Sequence, residues 1–283
     1  MVPVLRALPV LGATLIVAAC AAPAEQRPVV TSTTYVTASP PAMSETAPEP
    51  ATTAGNELDA VARSVVSVFG GSVGIAVAGA DGVISGGDDG AYPAWSTIKV
   101  PIAVAATRVA PDQAQLYAPA AIHNSDNVAA ESLWALVTPG DVNQVLADAG
   151  VDASVNTLPI RTEFSTFGQT ALSASQEATL AGHLACVAGA KDVLELMGNV
   201  SPDQAYGLGQ LPGARLKGGW GPSPSGGYQV RQVARVTNTR GNDVALALTV
   251  IPATGEYASA QAMADAVAAE LRPLLDALPT AAC

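Results

Sequence analysis

Charged side chains, histidines and cysteines are scarce in this chain of 283 residues, and the charge that is present is mostly negative. Asp, Glu, Lys and Arg make up 13% of the sequence, and 24 acidic residues outnumber 13 basic ones, for a formal net charge of −11. Such an acidic chain cannot offer phosphates a broad basic surface, which argues against nucleic-acid binding. With two histidines, three cysteines and no C-x-x-C or H-E-x-x-H pattern, we expect no protein-bound metal. Neither G-x-G-x-x-G nor G-x-x-x-x-G-K-[ST] occurs, so we expect no nucleotide cofactor.

A short apolar run lies at the N-terminus, and it is too short to span a membrane comfortably as a mature helix. Residues 1–19 carry a single charge, at Arg6, and end in V-A-A before Cys20. This pattern is typical of a signal peptide, and its end resembles the lipobox of bacterial lipoproteins. The resemblance implies cleavage before Cys20 and a diacylglycerol on its sulfur, with the secreted protein lipid-anchored at the outer face of the bacterial cell membrane. An ordinary secretory peptide and a retained transmembrane anchor are the alternatives.

Residues 20–55 are predicted to form the lipidated cysteine and a flexible tether. Ala, Pro, Thr and Ser supply 24 of the 35 residues from 21 to 55. Such a segment has too few large apolar side chains to offset the entropy that is lost on ordering. The folded domain is therefore predicted to span residues 56–283.

The folded part alternates between helix-like and strand-like patterns. Apolar residues at helical spacing from Leu58 to Phe69 are stopped by two glycines, and two strand-like runs then flank a hairpin turn at residues 80–82. Strand patterns return between residues 215 and 251, after a long helix-compatible region. We therefore predict one sheet layer from residues 56–95 and 205–283, beside a helical subdomain of residues 96–204. A final amphipathic helix carries Met263, Val267, Leu271, Leu274 and Leu278 on one face.

The segment Ser96-Thr97-Ile98-Lys99 holds the first chemically informative pattern. Residues i and i+3 share a helix face, so the Lys99 ammonium can reach the Ser96 hydroxyl. A serine hydroxyl becomes a good nucleophile when a neighbouring base removes its proton, and a desolvated lysine is such a base. Chance is the alternative, since S-x-x-K is common, but the chain has only three lysines and only this one S-x-x-K.

Two further patterns follow in the chain. Ser125-Asp126-Asn127 on its own is typical of a helix N-cap, and Lys217-Gly218-Gly219 of a strand that runs into a turn. Taken in order, S-x-x-K, S-D-N and K-G-G resemble the motifs of the penicillin-recognising serine enzymes, which comprise the serine β-lactamases, especially class A, and the D-Ala-D-Ala peptidases. The resemblance covers residues 56–278. It implies an α/β (α+β) β-lactamase-like fold, with a five-stranded antiparallel sheet flanked by helices and an all-helical subdomain, which is trimmed in this chain.

The resemblance also implies a role for each matched position. Ser96 would be the acylated nucleophile, Lys99 its proton acceptor, and Ser125 the relay of a proton to the leaving nitrogen. The backbone N–H groups of Ser96 and Trp220 would form the oxyanion hole. The positions expected to bind substrate are Asn127, at the acyl side-chain amide, Lys217, at the substrate carboxylate, Gly219 and Trp220.

The chain departs from the family pattern at two points. The motif lysine is normally followed by Thr or Ser, whose hydroxyl binds the substrate carboxylate, and here Gly218 has no hydroxyl; Arg231 or Arg235 could supply a guanidinium instead. The class A signature E-x-x-L-N, which supplies the deacylating glutamate, is absent. Glu163 lies in the corresponding region, and we interpret it as a solvated loop carboxylate in preference to a catalytic base.

These observations predict a serine hydrolase or acyltransferase of the cell envelope. It would form an ester on Ser96 with a β-lactam or an acyl–D-Ala peptide from peptidoglycan, without a cofactor, and would deacylate slowly. The alternative is a catalytically inactive binding module of the same fold for peptidoglycan fragments or a protein partner. Export to an oxidising compartment, with Cys20 lipidated, leaves Cys186 and Cys283 as an even pair, so we predict a disulfide between them.

Overall fold

The computed structural model describes residues 50–223 and 226–283. The predicted signal peptide, Cys20 and the tether up to residue 49 lie outside these residues. Helix α1 spans Pro50–Phe69, so residues 50–55, which the composition assigned to the tether, are helical. This part of the prediction is wrong because a proline is tolerated in the first turn of a helix and because Ala54 is already buried in the core beside the sheet.

Five strands from the two ends of the domain form one antiparallel sheet. They are β1 (Ser72–Gly79), β2 (Gly82–Gly87), β5 (Arg215–Pro222), β6 (Tyr228–Thr237) and β7 (Asp243–Ile251). Their order is β2-β1-β7-β6-β5, which leaves β5 at an edge. β1 pairs with β7, with Ile75 opposite Leu248, so the N-terminal hairpin and the C-terminal strands share one layer. The predicted five-stranded sheet is confirmed.

The sheet is buried on both faces. Along its central strands, large side chains on one face alternate with small side chains on the other. Ile75 of β1 packs with α1 and the C-terminal helix α8 (Tyr257–Leu271), whereas Ala76 points to the opposite face. Helix α6 (Ala174–His183) covers that second face, where its small residues meet those of β1 and β7. α6 therefore belongs to the sheet layer, although residues 96–204 were predicted to be the helical subdomain.

The remaining helices form a second core. Helix α2 (Lys99–Val109) is buried without interruption up to Ala106, as expected for a helix that is apolar on all sides. Two short strands, β3 (Tyr92–Pro93) and β4 (Ala171–Leu172), pair with each other in a separate two-stranded sheet. The sequence did not predict them, because two residues show no periodicity. The other helices are α3 (Pro111–His123), α4 (Asn127–Trp134), α5 (Pro139–Asp148) and α7 (Lys191–Met197).

The C-terminal segment is held against the domain by a disulfide. Helix α8 ends at Leu271 and is followed by a 3-10 turn that contains Pro273, so the predicted helix does not continue to Leu278, which is nevertheless buried. Cys186 and Cys283 are bonded to each other, with 5.7 Å between their Cα atoms. None of the helices in residues 50–223 and 226–283 has the length and apolar character that crossing a bilayer requires.

Candidate active site

Ser96 lies in a 3-10 turn, Trp95–Ile98, that leads directly into α2. The preceding Trp95 has a φ of 53°, a left-handed conformation that is costly for a bulky side chain. Its indole ring packs edge-on against Phe164, with ring centroids 5.1 Å apart, and against Gly221 of β5, where any Cβ would lie 2.5 Å from the ring. This turn presents Ser96 half-buried, and the Ser96 hydroxyl makes no hydrogen bond with any residue that the structure describes.

The Lys99 ammonium is directed at the segment before α4. It donates hydrogen bonds to the Ser125 carbonyl at 2.6 Å, the Asn127 Oδ1 at 2.8 Å and the Asp126 carbonyl at 3.2 Å. Burial lowers the pKa of Lys99 to about 8, although the carboxylates of Asp126 and Glu131 raise it. The Lys99 ammonium donates its hydrogen bonds to these oxygen atoms. The direct hydrogen bond to Ser96 that the spacing predicted is therefore not formed.

Ser125-Asp126-Asn127 combines a helix cap with two side chains that face the lysines. Asp126 is the N-cap of α4, and its Oδ1 accepts a hydrogen bond from the backbone N–H of Ala129 at 2.8 Å. Ser125 has a φ of 55°. Trp95 and Ser125 are the two non-glycine residues with positive φ in the described part of the chain, and both lie at this site. Backbone strain of this kind concentrates at functional sites.

Lys217 connects the sheet to the same segment. Its ammonium is fully buried and donates hydrogen bonds to Ser125 Oγ and to the Gly218 carbonyl, each at 2.8 Å. Gln204 Oε1 lies 3.5 Å away. Burial, followed by the nearby Lys99 charge, lowers the pKa of Lys217 well below its ordinary value. Ser125 Oγ also lies 3.4 Å from the Lys99 ammonium, so one hydroxyl lies between two lysines.

The glycines after Lys217 differ in the space around them. A Cβ on Gly219 would lie 2.6 Å from the Ala94 carbonyl oxygen and 2.9 Å from the Ser96 nitrogen, so glycine lets β5 approach the turn that carries Ser96. The Ser96 nitrogen therefore lies beside Gly219 of β5, which is the residue before Trp220. By contrast, a Cβ on Gly218 would meet nothing closer than 3.9 Å. The Trp220 ring packs on Tyr257, with centroids 5.8 Å apart.

Arg231 and Arg235 do not supply the guanidinium that was considered as a substitute for the missing hydroxyl. The fully buried Arg231 pairs with Glu177 at 2.9 Å and donates to the carbonyls of Tyr92 and Leu172. Arg235 pairs with Asp243, also at 2.9 Å, and donates to the Cys283 carbonyl. That prediction is wrong because β6 turns both side chains beneath α6, where each guanidinium pairs with a carboxylate and donates to backbone carbonyls.

Glu163 is exposed in a turn of the loop between α5 and β4 and makes no hydrogen bond with a described residue. The loop is held by amide side chains. Asn156 Nδ2 donates to the Thr166 carbonyl at 2.9 Å, and Gln169 bonds both backbone groups of Arg161, at 2.9 and 3.0 Å. No contact directs the Glu163 carboxylate towards Ser96, as expected for a solvated loop residue.

Three polar residues near the site were not found by sequence reasoning. Glu177 accepts a hydrogen bond from the hydroxyl of Thr97, next to Ser96, and Gln204 donates to the His123 carbonyl at 3.2 Å. Glu131 lies one helical turn after Asn127 in α4, and this spacing of four residues could have been read from the sequence. No group of three His, Cys, Asp or Glu side chains that could hold a metal occurs among the described residues.

Comparison with known proteins relates the chain to solved structures. No protein-family model and no curated protein sequence matches it. A class A β-lactamase from Bacteroides cellulosilyticus superposes with a TM-score of 0.62 at 16% identity, covering 78% of this chain and 98% of the other. A β-lactamase from Chitinophaga pinensis gives 0.61 at 15% identity, with coverage of 78% and 99%. The TLA-3 extended-spectrum β-lactamase gives 0.60 at 14%, with coverage of 77% and 99%.

Proposed function

We propose that this chain, which has the fold of the class A β-lactamases, is a serine acyl-transfer enzyme of the cell envelope. Its substrates would be β-lactams or acyl–D-Ala peptides, and its intermediate an ester on Ser96. One observation carries the proposal: the Ser125 hydroxyl lies 2.8 Å from the Lys217 ammonium and 3.4 Å from that of Lys99, beside the turn that presents Ser96. This arrangement provides for proton transfer and for an anionic substrate at one place.

Acylation would begin with neutral Lys99. With a pKa of about 8, about a tenth of Lys99 is neutral at pH 7, and this neutral amine would leave its contacts with residues 125–127 to accept the Ser96 proton. The Ser96 proton passes to Lys99 as Oγ bonds to the substrate carbonyl carbon. The carbon–nitrogen bond then breaks, and the leaving nitrogen takes a proton through Ser125. The N–H groups of Ser96 and Trp220 would stabilise the oxyanion.

Deacylation would be slow because the loop that carries Glu163 holds no base aimed at a water molecule. The only acidic residues between Val151 and Thr170 are Asp152 and Glu163, and the Glu163 side chain is exposed and unanchored. A displacement of about 1 Å in a reacting group can cost roughly a hundredfold in rate. The expected activity is thus that of a penicillin-binding protein or slow peptidase, held at the membrane if Cys20 is lipidated as the sequence predicts.

Labelling with a fluorescent penicillin tests the proposal. The wild-type protein should give one fluorescent band, and Ser96→Ala should give none. Ser132→Ala is the matched control, because the Ser132 hydroxyl donates its hydrogen bond to the Val128 carbonyl within α4, and this variant should label like the wild type. Labelling that persists in Ser96→Ala would contradict the assignment of the nucleophile.

A non-catalytic binding module is the second candidate, and Gly218 favours it. The hydroxyl that normally follows the motif lysine is missing, and both arginines considered as replacements are buried in other contacts. Such a protein would keep the Lys217 charge for a substrate carboxylate and form no ester. Saturable binding of a muropeptide without any adduct from a β-lactam or an acyl–D-Ala peptide would support this candidate over the enzyme.

A further inference from the structure

The two lysines of the site have no carboxylate in contact with them. Among the described residues, neither Lys99 nor Lys217 forms a salt bridge. The carboxylates that act on the Lys99 ammonium through space are those of Asp126 and Glu131, and both raise its pKa. Asp126 caps α4 and Glu131 lies within that helix, whereas no ion pair joins Glu163 to either lysine.

Of these two carboxylates, only that of Glu131 has no hydrogen-bond partner among the described residues. Asp126 caps α4, where its Oδ1 accepts the Ala129 N–H at 2.8 Å, and loss of that bond would expose the end of the helix. The Glu131 carboxylate makes no hydrogen bond or ion pair with any residue in the described part of the chain. Its carboxylate is therefore free to bind a water molecule.

The position of Glu131 on α4 brings it to the Lys99 side of the helix. Ala130 and Leu133 are buried in the helical core, while Asn127 and Glu131 are exposed to solvent. Residues four apart are neighbours on a helix surface, and Asn127 Oδ1 is within 2.8 Å of the Lys99 ammonium. Partial burial raises the pKa of Glu131, and the Lys99 charge opposes that rise.

We propose that Glu131 is the base that activates water when the ester on Ser96 is hydrolysed. The proposal rests on the proposed function, because it concerns the second half of that reaction. Water would lose a proton to the Glu131 carboxylate as its oxygen bonds to the ester carbonyl carbon. The bond from that carbon to Ser96 Oγ then breaks, and Oγ regains a proton through Lys99, to which Glu131 passes the proton that it took from water. Lys99 is then neutral and Glu131 ionised, which is the state from which acylation began.

The lifetime of the adduct tests this assignment. The purified protein is acylated with benzylpenicillin, excess drug is removed, and loss of the adduct is followed by intact-mass spectrometry. Glu131→Gln should acylate within about threefold of the wild type, while its adduct should persist roughly a hundredfold longer, as expected when a general base is lost. Glu163→Gln tests the loop carboxylate, and Glu195→Gln, on the exposed side of α7, is the matched control. Both adducts should decay like the wild-type adduct.

The outcomes separate this inference from the proposed function. An adduct lifetime in Glu131→Gln equal to that of the wild type would overturn the role of Glu131, as would a longer lifetime in Glu163→Gln alone. Slow acylation together with slow deacylation in Glu131→Gln would indicate a structural role and would also overturn it. Absence of any adduct in the wild type would instead contradict the proposed function. Hydroxylamine, which cleaves exposed esters directly, should release the adduct from all variants at similar rates.

Discussion

Lys217 donates a hydrogen bond across 2.8 Å to the hydroxyl of Ser125, a residue 92 positions earlier in the chain. Lys217 belongs to the edge strand of the sheet, and Ser125 lies at the start of a helix of the second core. The contact therefore joins the two layers of the domain at the point where Ser96 is presented. It also brings two ammonium groups to one hydroxyl, which makes the site electrostatically costly and open to test by titration.

The buried Lys99 should make stability depend on pH. Its pKa is lowered to about 8 in the folded protein, so the unfolded chain, with an ordinary lysine, binds more protons in the alkaline range. The free energy of unfolding should therefore rise with pH, by about 2 kcal/mol from this group between about pH 7.5 and 9.5. Urea unfolding at the two pH values should show a smaller rise in Lys99→Met than in the wild type. Equal rises would contradict a lowered pKa.

Restoring the missing hydroxyl should strengthen reaction with substrates that carry a carboxylate. The Cβ that Gly218→Thr adds would meet no atom closer than 3.9 Å, so we expect the fold to be kept. A new hydrogen bond to a charged group is worth about 1.5 kcal/mol, or about tenfold in the second-order rate of acylation.

The neighbouring glycine is the contrasting position for this prediction. Gly219→Ala would place a methyl group 2.9 Å from the Ser96 nitrogen, displace the turn and reduce acylation at least tenfold. Stopped-flow acylation with a penicillin compares the variants. A rate in Gly218→Thr below that of the wild type would show that this position does not face the substrate carboxylate.

The ion pair between Glu177 and Arg231 should be important for stability. Both side chains are fully buried. Glu177 also accepts a hydrogen bond from the hydroxyl of Thr97, which follows Ser96 in the chain. Glu177→Ala leaves an unpaired guanidinium and should lower the free energy of unfolding by about 3–5 kcal/mol. Removing both charges in Glu177→Leu/Arg231→Met should recover at least half of that loss. Urea unfolding measures both variants, and a single variant as stable as the wild type would refute the prediction.

The disulfide between Cys186 and Cys283 should stabilise the domain substantially. It closes a loop across a sequence separation of 97, and the chain-entropy model gives about 4–5 kcal/mol for such a loop. Cys186→Ser/Cys283→Ser should therefore unfold at a clearly lower urea concentration. Thiol titration of the unfolded, unreduced protein checks the bond directly, since neither of these cysteines should react.

The sequence predicted the elements whose signals are local or repeated. The hairpin turn, the three C-terminal strands and each of the three motifs are present in short windows of the sequence, and the order of the motifs is read directly along the chain. The buried partners of Arg231 were not predictable, because Glu177, Tyr92 and Leu172 come together only when α6 and β4 pack on the sheet.

The sequence predicted which helices and strands are present better than it predicted where they begin and end. The tether composition continues through residue 55, yet α1 begins at Pro50, because packing of Ala54 on the domain outweighs a weak helix propensity. The Lys99–Ser96 hydrogen bond was expected from spacing alone, and the oxygen acceptors around Ser125 and Asn127, which a pattern does not reveal, redirected the lysine.

Intact-mass spectrometry after mixing with a penicillin detects an ester on Ser96 directly. We expect a long-lived increase equal to the mass of the intact drug, located on Ser96 by peptide mapping and absent in Ser96→Ala. Lys99→Arg should also lack it while keeping its fold by circular dichroism, because a guanidinium cannot accept the serine proton. Absence of an adduct and of turnover with any β-lactam or acyl–D-Ala peptide would contradict the account, as would rapid turnover that disappears in Glu163→Ala.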